Sequence, residues 1–245
     1  MAIEKQSFIS KLTRVFKDNG FSKLLSLEVS EKFLSLTERM LEENEKYNLT
    51  AITDVDKIIL NHYADCAALA VRLPKGAKIA DIGCGAGFPT LPVAILRPDV
   101  SILAVDSTAK RIAYVEESAR LLGLENVKAV AMRAEDGGKS PEYRERFDVV
   151  TARAVAEMRV LTELCLPYAK VGGQFLAMKG KNAEFELQGA KKAISLLGGR
   201  DVKVEQITLN GFGEELTHPL IMIGKKEKTP ANYPRPFAQI SKKPL

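Results

Sequence analysis

Apolar positions in the first third of the chain recur at helical spacing. In LSLEVSEKFLSLTERMLEENEKYNL, residues Leu27, Phe33, Leu34, Leu36, Met40 and Leu41 return every few positions with charges between them. This predicts an amphipathic helix starting near Ser30. DVDKIILNHYADCAALAVRL predicts a second helix, capped by Asp54 or Asp56 and ended before Pro74. His62 and Asp65, three apart, share a face of it.

From residue 77 the period changes. Short β-branched runs alternate with helical stretches: AKIADIG, SILAVD, VKAVAM, FDVVTA, GGQFLAMKG, VKVEQITL and HPLIMIGKK read as seven strands. Strands separated by helices predict a parallel, doubly wound α/β sheet, because parallel neighbours need a crossover. The last two strands have no helix between them. Their connector, NGFGEELTH, reads as a loop, so the final strand is expected to return antiparallel. The segment TPANYPRPFAQISKKPL carries four prolines and reads as extended, ordered only if docked. The expected organisation is a helical extension over 1–72, an α/β domain over 73–226 and a basic tail over 227–245.

Charge adds one fact. The net charge is +5, and all of it lies in the last 21 residues. Lys225, Lys226, Lys228, Arg235, Lys242 and Lys243 stand there against the single acid Glu227. A basic tail on a neutral body points to a polyanion partner. No apolar run reaches about 18 residues, which argues against a membrane span, and the mixed charged and apolar start MAIEKQSFISKLTRVFKDNG has no continuous apolar stretch, so a secretion signal is not expected. Cys66, Cys84 and Cys165 form no C-x-x-C pair and only two histidines exist, so no metal site is expected. Reduced, buried thiols in the cytoplasm are the simplest reading.

The chemistry concentrates in IADIGCGAGFPTLPVAIL. Gly83, Gly85 and Gly87 sit at the end of the first strand, where open α/β sheets bind ligands. No Lys-Ser or Lys-Thr follows, which excludes a P-loop, and the sixth position from Gly83 is Phe88 rather than the glycine of a dinucleotide fingerprint. Asp81, just before the bend, would repel a pyrophosphate and suits a cationic ligand. S-adenosylmethionine (SAM), with its ammonium and sulfonium, is such a ligand. Asp106 ends the second strand, where a carboxylate can accept ribose hydroxyls. RAED, Arg133–Asp136, follows the third strand and can meet an adenine amino group.

These features predict a SAM-dependent methyltransferase. The proline-pair loop common in exocyclic-amine methylation is replaced by TARAVAE after the fourth strand. Cys165 lies away from the position a pyrimidine-methylating nucleophile needs. An atom already nucleophilic remains, and guanine N7 is one; transfer to it needs alignment rather than a base. Arg153 can hold the guanine edge, a phosphate or the cofactor. The alternatives are a SAM enzyme acting on protein or a small molecule, and a non-catalytic RNA-binding module. The basic tail disfavours the first, and the intact glycine bend the second.

NLTAI, HYAD, DIGCGAGFPTLPVAI, VDSTAKR, LGLENV, RAED, FDVVTARAVA, GGQFLAMKG and the YPR…KKPL ending together resemble the RsmG (GidB) family. These bacterial methyltransferases act on guanosine N7 in 16S ribosomal RNA. The resemblance runs from about residue 20 onward. It implies cofactor contacts at Asp81, Gly83, Gly85, Gly87, Phe88, Ala134, Glu135 and Arg153, with Asp106 and Ser107 near the ribose. It also implies Arg153 as catalytic, RNA contacts from Lys179, Arg235, Lys242 and Lys243, and S-adenosylhomocysteine as product. A cytoplasmic monomer working on the small ribosomal subunit is expected. Three positions depart from the pattern: Cys66 replaces a usual serine, Thr90 a common glycine, and Ala238 stands near a usual glycine.

Overall fold

The computed structural model describes residues 3–180 and 182–245. Seven strands form one sheet: β1 (Lys78–Ile82), β2 (Ser101–Asp106), β3 (Val127–Ala131), β4 (Phe147–Arg153), β5 (Ala169–Met178), β6 (Gly199–Gly211) and β7 (Glu214–Lys225). Their order is β3-β2-β1-β4-β5-β7-β6. The first five run parallel, and β7 lies antiparallel between β5 and β6. The expected doubly wound sheet with an antiparallel last strand is therefore present. The strand order reverses at β1, which has β2 on one side and β4 on the other, and this opens a crevice at their carboxyl ends.

The connector read as a loop is mostly strand. Only Phe212 and Gly213 turn, with φ of 55° and 80°. Gly211 pairs with Glu214 and Asn210 with Glu215. A two-residue turn with positive φ at both positions matches strand twist. Its polar, glycine-rich composition resembles a loop; cross-strand pairing makes it a ladder.

Side chains alternate across the sheet and both faces are covered, so the strands are apolar on both. Ile79, Ile102, Ala104, Val149 and Leu176 belong to one core, and Ala80, Leu103, Val105, Val150 and Phe175 to the other. The first core also contains residues of α1 (Lys5–Asp18), α2 (Leu27–Tyr47), α3 (Val55–Ile58), α4 (Asp65–Ala70), α5 (Thr90–Leu96) and α6 (Ala109–Leu121). Phe8, Leu12, Phe16 and Phe33 are buried there against the sheet side of the molecule. Arg39 of α2 donates to Ser118 Oγ of α6 at 2.9 Å and lies over the Tyr114 ring.

The cap of α2 is Ser26, whose side chain accepts from the Val29 amide; Ser30 is one turn inside and donates to the Ser26 carbonyl. Asp54 caps α3. Between α3 and α4 the chain makes a π-helical turn over Ile59–Ala64.

The second core lies under α7 (Ala134–Lys139), α8 (Met158–Cys165), α9 (Ala183–Leu196) and α10 (Phe237–Lys242). The tail expected to be extended forms α10 and docks. Ile240 is fully buried, which stabilises by about 1.5–3 kcal/mol. The Arg144 guanidinium donates to the carbonyls of Gly138, Thr229, Pro230 and Tyr233. Lys225 is also internal: Nζ donates to Leu166 O, Leu197 O and the Thr229 hydroxyl, and burial pushes its pKa down to about 8. Cys66, Cys84 and Cys165 are free and buried. Among the described residues no helix is long and apolar enough to cross a membrane.

Candidate functional site

The bend after β1 is held by the end of β2. The amides of Gly83 and Cys84 both donate to Val105 O, at 2.7 and 3.0 Å, and the Gly85 amide donates to Asp106 Oδ2 at 3.0 Å. Gly83 has φ +75°, and a Cβ there would lie 2.6 Å from Val155 Cγ2. Gly85 has φ +56° and open space where its Cβ would stand, its nearest neighbour being Gly83 O at 4.0 Å. One glycine admits the segment after β4; the other leaves room beside the backbone.

Asp106 is 6% exposed. Its Oδ1 accepts from the Thr108 amide at 2.8 Å, and Arg111 lies 3.6 Å from Oδ2. Each oxygen keeps a lone pair for a ligand hydroxyl. Gly83, Asp106, Ser107, Ala134 and Glu135 face one cleft of about 260 Å³, with Arg111, Val155, Leu164 and Phe237 completing its walls. The structure thus brings Gly83 together with Asp106, Ser107, Ala134 and Glu135, while Asp81, Gly85 and Gly87, also expected at the site, do not line this cleft. Phe237 was not among the expected residues. No local motif marks it, and only the docking of the tail carries it there.

Asp81 lies behind the bend with no exposure. Its Oδ2 accepts from Thr90 Oγ1 at 2.6 Å, while Oδ1 has no partner. Burial pushes its pKa up to about 6 against the Thr90 hydrogen bonds. This oxygen lacks a donor, and a carboxylate in that position suits a cationic one. The Thr90 hydroxyl exists because threonine stands where the resembled family commonly has glycine. Open space at Gly85, a strand-end carboxylate and an orphaned acid oxygen together fit SAM.

Arg153 and Phe88 turn the other way, outside the cleft lining. Arg153 donates to Asp65 Oδ2 at 3.1 Å, to Asn61 O at 3.2 Å and to His62 Nδ1 at 2.8 Å. Arginine only donates, so His62 Nδ1 accepts and its proton sits on Nε2, facing Thr50 Oγ1 at 3.4 Å. The His62 ring stacks on Phe88 at 4.3 Å, and the Arg153 guanidinium lies 5.5 Å from the same ring. His218 Nε2 donates to the second oxygen of Asp65 at 2.7 Å. Burial and then the Arg153 charge push the His62 pKa down to about 3. Burial alone would lower His218, but the Asp65 hydrogen bond and charge outweigh it and hold the pKa above the usual value.

The expected RNA contacts divide into two kinds. Lys179 is 11% exposed at its side chain; it donates to Ala156 O at 2.8 Å and pairs with Glu186 at 2.7 Å. Arg235 donates its backbone amide, Nε and Nη2 to the carboxylate of Glu163, which is fully buried. Lys242 and Lys243 are exposed.

Comparison with known proteins places the chain in a family. The model of the family GidB, rRNA small subunit methyltransferase G, matches residues 29–215. Proteins named ribosomal RNA small subunit methyltransferase G are similar along nearly their whole length. The one from Lactobacillus delbrueckii is 47% identical, covering 90% of this chain and 93% of its own. That from Clostridium perfringens is 44% identical over 88% and 90%, and that from Desulfitobacterium hafniense 43% identical over 100% of both. Among solved structures, a SAM-dependent O-methyltransferase from Thermotoga maritima shares the fold with TM-score 0.53 at 16% identity, covering 77% of this chain and 72% of that one. TYW2 from M. jannaschii, solved with AdoMet, does so with TM-score 0.52 at 15% identity over 67% and 75%. With family match and sheet topology in agreement, this chain belongs to the GidB family of rRNA small subunit methyltransferases G.

Proposed function

We propose that the protein transfers the methyl group of SAM to N7 of a guanine in 16S ribosomal RNA. One juxtaposition carries the reading: Gly83 and Asp106 face the same cleft as Ala134 and Glu135, at the switch point of the sheet, in a chain of the GidB family. When bound, SAM supplies an electrophilic methyl on a sulfonium.

The residues of the chain divide the remaining work. Asp106, fixed by two backbone amides, accepts the ribose hydroxyls, with Ser107 beside it. Ala134 and Glu135 meet the base. The backbone at Gly83, Gly85 and Gly87 carries the methionyl end, and Asp81 Oδ1 provides the counter-charge for its ammonium. Arg153 works through Phe88, whose ring it shares with His62; it holds the far limb of the bend in place. Guanine N7 has a lone pair and no proton, so no base is needed and the rate comes from alignment.

Lys242 and Lys243, exposed on the docked tail, meet RNA phosphates. Lys179 and Arg235 serve the RNA face by fixing the segments after β5 and β7. Three reduced, buried thiols support a cytoplasmic setting.

The test is transfer of labelled methyl from SAM to small ribosomal subunits lacking N7-methylguanosine, followed by nucleoside analysis. Label in 7-methylguanosine is the expected result. SAM binding without labelled subunits would move the substrate to free RNA, protein or a small molecule.

A further inference from the structure

Phe237 is the one residue of the tail that faces the cleft. We infer that it is a cofactor-binding residue: its ring closes the adenosine end of the pocket and stacks on the adenine of SAM. The inference rests on reading the cleft as the SAM site.

Three observations carry it. The first is position. Asp106 at the end of β2 takes the ribose, so the base lies toward β3, where Ala134 and Glu135 stand. The Phe237 ring centroid is 6.0 Å from the guanidinium carbon of Arg133, the residue before Ala134, and both Phe237 and Ala134 line the cleft. The ring is therefore beside the segment that follows β3, on the adenine side of the cleft.

The second is incomplete burial in a segment that is otherwise fastened. Phe237 is 40% exposed, whereas Ile240, one turn later, is fully buried. A large aromatic surface held beside a cleft and only partly covered fits a planar, weakly polar partner. A nucleobase is such a partner, and Leu164 of α8 supplies further apolar wall to the same cleft.

The third is anchoring. Two residues before Phe237, Arg235 gives three donors to the buried Glu163; earlier in the tail, Arg144 ties three tail carbonyls. The ring is held before the ligand arrives, so little ordering cost falls on binding. The basic tail then has a second task besides RNA: it builds one wall of the cofactor pocket.

The experiment is calorimetric titration of the full chain with S-adenosylhomocysteine and with 5′-methylthioadenosine, which keeps the adenosine and lacks the amino acid. Phe237→Ala should weaken both by roughly five- to 150-fold, the range expected for one aromatic–base stack. Phe237→Trp should bind within about threefold of the parent. The urea midpoint of Phe237→Ala should stay near the parent value, because the side chain is half-exposed. Three results overturn the inference: both ligands bound by Phe237→Ala within about twofold of the parent, a loss confined to S-adenosylhomocysteine, or a loss that tryptophan does not restore. Failure of the parent protein to bind either ligand is a different outcome, which overturns the reading of the cleft itself.

Discussion

Arg153 and Asp65, 88 residues apart in the chain, meet at 3.1 Å, and through Asp65 the arginine is joined to His218. Both histidines of the protein thus converge on one arginine at the end of β4, one from the π-helical turn and one from the β6–β7 hairpin. The carboxylate and the guanidinium are 8% and 18% exposed at their side chains, so this pair belongs to the interior.

Asp65→Asn should therefore cost about 3 kcal/mol, as expected when one member of a buried pair is removed. Urea unfolding at pH 7 measures it. A loss under about 1 kcal/mol would mean the pair behaves like an exposed one.

The two histidines should give opposite pH slopes. His62, pushed down to about 3, contributes fully above its unfolded pKa of 6.5. That contribution is lost as pH falls from 6.5 toward 3, because the unfolded chain takes a proton that the folded chain refuses. His218, held above 6.5 against its burial by Asp65, contributes fully below 6.5 and loses that contribution as pH rises through its folded value. His62→Gln should flatten the acid limb of the stability profile, and His218→Gln the neutral-to-alkaline one. An unchanged acid slope in His62→Gln would contradict the neutral, arginine-bound histidine.

Asp81 should trade stability for binding. Burial lifts its folded pKa to about 6, above the 3.8 of an exposed aspartate, so above pH 6 its buried charge costs stability. Asp81→Asn keeps an acceptor for Thr90 and should stabilise the apo-protein by about 1–3 kcal/mol at pH 8. It should weaken S-adenosylhomocysteine binding at least about tenfold, through loss of a charge-assisted contact. Unfolding and calorimetry at the same pH test both; unchanged affinity would remove Asp81 from the site.

Arg235→Met leaves Glu163 buried without its partner and should cost about 3–5 kcal/mol. The double variant Glu163→Met with Arg235→Met should recover most of this, because two apolar side chains leave no buried charge. A double-variant cycle in urea separates the cases; additive losses would mean that tail docking depends on something other than this pair.

Lys242→Ala and Lys243→Ala should each reduce the slope of log affinity for ribosomal RNA against log salt by about 0.9. S-adenosylhomocysteine binding should not change. A slope equal to that of the parent protein would show that these lysines neutralise no phosphate.

Much of this was legible in the chain itself. Alternating strand and helix periods determine the sheet, because a parallel strand needs a crossover and each crossover needs an apolar face. Gly83, Gly85 and Asp106 mark the candidate site for a local reason: a strand end, a bend with open space and the next strand end are all set by short-range sequence. The hairpin turn at Phe212 and Gly213 was hidden, because its pairing partners make a ladder out of loop-like residues.

What only the tertiary structure decided are the long-range partners of charged and aromatic groups. Sequence places Arg153 at the end of β4 but cannot say which way its guanidinium turns; the buried Asp65 and His62 draw it from the cleft toward the helices. Arg235 and Lys225 read as part of a basic arm, yet Glu163 and a ring of carbonyls take them inside. Phe237 reads as one aromatic in a proline-rich tail and becomes a wall of the pocket once the tail is fastened. Composition reports how many charges and rings a segment carries. A buried charge must find its partner wherever the fold provides one, and no local pattern encodes that distance.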